Sequence, residues 1–145
     1  MNLSKNFTLE EFTFSQTATR QSIDNSPGPA IIISLARVAT TLEQIRALVG
    51  KPVSISSGYR SPALNRAVGG APDSAHMHGL AADISMQGYT PVQLARLIRD
   101  SGIEFDQLIY EGAWVHIGLS ADAPRRDVLT AIFDGGRARY VQGIA

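Results

Sequence analysis

Three histidines and no cysteines are the starting inventory for metal chemistry in this 145-residue chain. A thiolate site and a cysteine nucleophile are therefore excluded, and a metal would have to be held by imidazole and carboxylate. The densest stretch of such groups is Ser74-Ala75-His76-Met77-His78-Gly79-Leu80-Ala81-Ala82-Asp83-Ile84, which joins two histidines to an aspartate through small residues. The third histidine, His116, lies in the apolar segment Trp114-Val115-His116-Ile117. Three protein ligands drawn from these two segments would leave one coordination position open, the arrangement of a catalytic zinc site. Spacing alone leaves the choice between His76 and His78 open.

A general base is also needed. If Gly112-Ala113 is a two-residue turn, Glu111 pairs with Trp114, Tyr110 with Val115 and Ile109 with His116. Directly paired residues share a face, as do residues two apart on one strand. Glu111, Trp114 and His116 then point the same way, which sets a carboxylate near a metal held by His116. The same register turns Asp106 to the other face. Arg60, in Ser57-Gly58-Tyr59-Arg60-Ser61 after an expected strand, could bind a substrate carbonyl or carboxylate oxygen and the negative charge that develops on it.

These residues need a scaffold. Apolar residues at Ile31, Leu35, Val38, Leu42, Ile45 and Leu48 predict an amphipathic helix over Pro29 to Val49, stopped by Gly50. Thr8-Leu9-Glu10-Glu11 is a capping-box pattern that starts a short helix. Thr90-Pro91 opens another, ending near Gly102. Strands are expected at Val53–Ser57, Gly79–Ile84, Phe105–Tyr110 and Trp114–Leu119, with a final hairpin of Val128–Phe133 and Arg137–Val141. Gly58 to Asp73 reads as loop with a helical turn at Ala63–Val68, and Ser26-Pro27-Gly28-Pro29 as a turn. Helices and strands do not alternate strictly, so the expected class is α+β: a small, mostly antiparallel sheet with helices packed on it. One domain over residues 1–145 is expected from the length.

The H-E-x-x-H, G-x-S-x-G and phosphate-loop patterns are missing, so the commonest zinc-protease, serine-hydrolase and nucleotide-binding readings fall away. Thirteen basic residues balance thirteen acidic ones, which argues against a nucleic-acid partner. The opening MNLSKNFTLEEF has no apolar core of a secretory signal, and the longest apolar run is too short to span a bilayer. A soluble chain made in the cytoplasm, without membrane insertion and monomeric, is the expectation.

Ser74-x-His76-x-x-Gly79-x-Ala81-x-Asp83, with Ser57-Gly58-Tyr59-Arg60-Ser61 before it and Trp114-Val115-His116 after it, resembles the zinc D-alanyl-D-alanine carboxypeptidase family. The small phage and bacterial type, whose fold is shared with the hedgehog signalling domain, is the most similar. The resemblance runs from about Val53 to Leu119, and Asn6-Phe7-Thr8-Leu9-Glu10-Glu11-Phe12 is similar to the opening of phage members. It implies Zn²⁺ on His76, Asp83 and His116, since only His76 has the glycine and aspartate at the family spacing. It leaves His78 as a pocket neighbour. It implies Arg60 at the substrate and transition state, with Ser74, Tyr59 and Trp114 as further substrate contacts. Many members carry the acid three residues before the last histidine. That position is Ala113 here, and Glu111 is the carboxylate on offer. The implied activity is hydrolysis of peptidoglycan stem peptides, as a D-Ala-D-Ala carboxypeptidase or an L-Ala-D-Glu endopeptidase, with phage lysis as one setting. The alternative is a zinc-containing cell-wall-binding or virion module that does not cut.

Overall fold

The computed structural model describes residues 1–145. Six strands form one sheet in the order β1-β2-β4-β3-β5-β6. The strands are β1 (Ser54–Ser57), β2 (Ala81–Ser85), β3 (Gln107–Tyr110), β4 (Val115–Gly118), β5 (Asp127–Asp134) and β6 (Arg137–Gln142). Every neighbouring pair is antiparallel except β3–β5, which is parallel. The class is therefore α+β with a mostly antiparallel sheet, as the sequence suggested.

The helices are α1 (Leu9–Thr13), α2 (Gln16–Gln21), α3 (Pro29–Val49), α4 (Pro62–Ala67) and α5 (Pro91–Asp100), with a 3₁₀ helix at Ala75–His78. Pro29 occupies the first turn of α3, and Gly50 closes it in the left-handed conformation that glycine adopts at least cost. Leu35, Val38, Leu42 and Ile45 are buried along one side of α3, whereas Leu48 is exposed and Val49 takes the next place against the core. Thr90 and Gln93 form a reciprocal capping box at the start of α5. Leu94, Ala95 and Ile98 of that helix are fully buried.

Alternation along the central strands separates the core from the site. Ala82 and Ile84 of β2, Val115 and Ile117 of β4, and Leu108 of β3 join the residues of α3 and α5 in one hydrophobic cluster. Asp83, His116 and Ile109 are directly paired across β2, β4 and β3, and belong to the opposite face. β2 and β4 are buried on both faces, so a charged side chain on either strand has few positions to move into.

Three departures from the sequence expectations bear on the site. The segment Gln16–Gln21 is helical, capped by the Ser15 side chain. The residues before Asp83 form a 3₁₀ helix, and β2 starts at Ala81 rather than Gly79. The expected final hairpin forms as β5–β6, but β5 joins the sheet by lying parallel to β3, a pairing that the sequence did not signal. Asp106 holds the segment leading into β5: its carboxylate accepts hydrogen bonds from the Arg125 backbone and guanidinium, and its carbonyl accepts from the Asp127 amide.

Candidate metal centre

The support for His76 begins at the N-terminus. Thr8 and Glu11 complete a capping box at α1, and Phe7 and Phe12 close around it as a hydrophobic staple with ring centroids 6.4 Å apart. The Phe12 carbonyl accepts the Tyr59 amide at 2.7 Å, so α1 presses directly on the backbone at Gly58. A Cβ at Gly58 would lie 2.4 Å from the Phe12 oxygen, and only glycine fits there. The Gly58 carbonyl then meets His76 Nδ1 at 2.7 Å. A carbonyl only accepts, so Nδ1 carries the proton and Nε2 presents its lone pair.

The 3₁₀ helix that carries His76 is set by residues on either side. The Ser74 hydroxyl accepts from the His76 amide, and Gly79 ends the helix at φ +67°. A side chain at Gly79 would run into Ile31 of α3. The next strand, β2, delivers Asp83, whose partner across the sheet is His116 of β4.

One oxygen of Asp83 faces both imidazoles, at 3.0 Å from His116 Nδ1 and 3.3 Å from His76 Nε2. The three ligand atoms lie within 4.8 Å of one another. Zinc–ligand bonds of about 2.0–2.1 Å set tetrahedral neighbours about 3.4 Å apart, so this donor set fits such an ion with small adjustment. Burial works against ionisation of Asp83, but the hydrogen bonds and charges of His116 and His76 outweigh it. The carboxyl is held well below the usual range.

These groups open into a cleft of about 460 Å³, lined also by Arg60, Ser74, Glu111 and Trp114. The β3–β4 register is the one expected, with Tyr110 opposite Val115 and Ile109 opposite His116. The Glu111 amide donates to the Trp114 carbonyl at 3.0 Å, and Gly112 turns the chain at φ +85°. The turn is tighter than the one assumed, since the Ala113 amide bonds back to the Glu111 carbonyl. Burial raises the Glu111 pKa above the ordinary value. His116 and Arg60 pull it down, and Asp83 pushes it up.

Arg60 is held with its backbone fixed on all sides. Its amide donates to the His76 carbonyl. Asn25, which the sequence reading passed over, bonds to the Tyr59 carbonyl and the Ser61 amide on either side of it. The guanidinium donates to Ser74 Oγ at 3.2 Å, while Arg60 Nε is a buried donor with no partner in the protein. Trp114 Nε1 is another. A second cavity of about 560 Å³ lies alongside, and Arg60, Asp83 and Trp114 line both. Phe14, Gln16 and Thr17, in and around α2, contribute to its wall.

Not every candidate reaches the cleft. Tyr59 is buried in the core and borders only the second cavity. His78 is exposed and pairs with Asp73 at the surface, because the 3₁₀ helix points it away from His76. It does not itself line the pocket, but its partner Asp73 does. Asp106 belongs to the Arg125 ion pair described above. Tyr140, which the sequence did not single out, does line the cleft.

The sheet thus carries a His-Asp-His cluster that could hold a metal ion, beside a glutamate and an arginine. The chain belongs to the peptidase M15 family, whose pattern it matches over residues 5–118. It is similar to the zinc D-Ala-D-Ala carboxypeptidase of Streptomyces albus G, at 39% identity over 62 residues. That stretch is 42% of this chain and 24% of the relative, so the chain spans about a quarter of the protein it matches.

Proposed function

We propose that the protein is a zinc peptidase that hydrolyses the stem peptides of peptidoglycan. The observation that carries this reading is the convergence of the Asp83 oxygen on two imidazole nitrogens at 3.0 and 3.3 Å, in a cleft that also holds Glu111 and Arg60. The substrate class rests on the similarity to the Streptomyces enzyme and on the family resemblance.

His76 through Nε2, Asp83 through Oδ1 and His116 through Nδ1 would hold the ion. Zinc supplies Lewis acidity and brings the pKa of bound water to about 7. Glu111 takes the proton of the attacking water and returns it to the leaving amine. The Arg60 guanidinium holds the carbonyl oxygen as negative charge grows on it. Ser74 keeps that guanidinium in place and caps the helix of His76, which ties the oxyanion donor to the metal loop.

The two cavities favour an endopeptidase. They meet at Arg60, Asp83 and Trp114, so a peptide can extend on both sides of the metal. Arg60 is the only lysine or arginine in either wall, and a separate cation for a terminal carboxylate is missing. The test is digestion of purified peptidoglycan by zinc-loaded protein, with products read by mass spectrometry. Internal stem-peptide cleavage that disappears on chelation and in Glu111→Gln is expected. Release of terminal D-alanine alone would overturn the endopeptidase assignment. No fragments from zinc-loaded protein would replace the peptidase reading with that of a binding module.

A further inference from the structure

The family match ends at residue 118, yet one wall of the cleft comes from the β5–β6 hairpin beyond it. The sheet register shows which hairpin residues face the metal. Asp83 pairs with His116, His116 with Ile109, and Ile109 with Leu129 of β5. Ala131, two residues on from Leu129, shares that face and pairs with Tyr140 of β6. Continuing the β3–β5 register by one residue sets Glu111 beside Ala131.

Glu111, Ala131 and Tyr140 therefore form one row across three strands, with the smallest side chain in the middle. Neighbouring strands are about 4.8 Å apart, so Glu111 and Tyr140 stand about 10 Å apart at the backbone. Ala131, itself buried, puts no bulky side chain between them. Both residues line the cleft with the three candidate ligands. Tyr140 is half exposed, and its hydroxyl makes no hydrogen bond within the protein. Burial first, then the charges of Glu111 and Asp83, raise its pKa, so the hydroxyl stays protonated as a donor.

The geometry points to Tyr140 as a substrate-binding residue that the family pattern does not supply: its hydroxyl donates a hydrogen bond to a backbone carbonyl of the bound peptide, across Ala131 from Glu111. The tyrosine ring forms the wall along which that peptide lies. This assignment rests on the peptidase reading for its substrate, and its test separates the two.

Two measurements are made on zinc-loaded protein. The first compares steady-state cleavage of a soluble stem peptide by wild type and Tyr140→Phe, a change that keeps the ring on an edge strand. The second measures binding of the same peptide to Glu111→Gln with and without Tyr140→Phe. The expected result is a rise in KM and a matching loss of affinity of about three- to tenfold, the size of one hydrogen bond, with kcat and zinc content retained. Cleavage and affinity unchanged by Tyr140→Phe would overturn the role of Tyr140 and leave the peptidase reading intact. Peptide that is bound but not cut by wild type, and bound less well with Tyr140→Phe, would keep Tyr140 and remove the peptidase reading. No binding to any form would overturn both.

Discussion

The Gly58 carbonyl oxygen and His76 Nδ1 lie 2.7 Å apart, which fixes the imidazole proton on the side away from Asp83. Support of this kind orients a metal-binding histidine and raises its basicity. Gly58→Ala forces its new methyl against the Phe12 carbonyl and displaces this acceptor. Zinc affinity is expected to fall by about 10- to 100-fold. Titration against a competing chelator checks it, and an unchanged affinity would mean that the ring does not need this partner.

Arg60→Ala should leave zinc content intact and reduce kcat by about 100- to 1,000-fold, the usual loss when an oxyanion donor is removed. Arg60→Lys should recover little, because the ammonium cannot reproduce both the Ser74 contact and the Nε donor. Full activity in the lysine variant would show that charge alone suffices.

The base role proposed for Glu111 requires the ionised carboxylate, and the pKa of Glu111 lies above the ordinary value chiefly through burial. The acid limb of kcat/KM should therefore fall at a higher pH than an exposed glutamate would give, with activity lost as pH drops through it. Loss of bound zinc in acid would act in the same direction. Zinc content measured at each pH separates the two effects. A rate that holds flat down to pH of about 4 would contradict both.

Asp106 makes a prediction of stability rather than catalysis. Its pKa is lowered mainly by the hydrogen bond from Arg125, so it stabilises the fold above the ordinary aspartate value and loses that contribution as pH falls through its folded value. Asp106→Asn should cost about 1 kcal/mol near neutral pH, a modest figure because Arg125 is largely exposed. Urea unfolding should show the gap between variant and wild type closing in acid, with peptidase activity of the folded variant unchanged. A gap that persists at low pH would point to packing instead.

The two segments that hold His76, Asp83 and His116 were legible because the chain has only three histidines, while the choice of His76 over His78 came from the family resemblance. The β3–β4 register could be read because a short turn leaves little freedom in pairing. The long periodic helix α3 was legible for the same kind of reason. By contrast, α2 has no apolar stripe and takes its shape from the Ser15 cap and its neighbours. The 3₁₀ helix is too short to show a period. The parallel pairing of β5 with β3, beside the contact of Arg125 with Asp106, joins segments that adjacency along the chain does not suggest. Asn25 and Tyr140 were missed because each works through positions distant in sequence: Tyr59 and Ser61 for one, the sheet row of Glu111 for the other.

The partners that position the candidate ligands are far apart along the chain, 18 residues between Gly58 and His76 and 33 between Asp83 and His116. A refolding chain that has made only its local pieces, α3 and the β3–β4 hairpin, has no place for the ion. Capture must wait until β2 docks between β1 and β4. An ion held there would clasp β2 and β4 to the segment that carries His76. Loading with metal should accordingly raise the temperature at which the sheet opens.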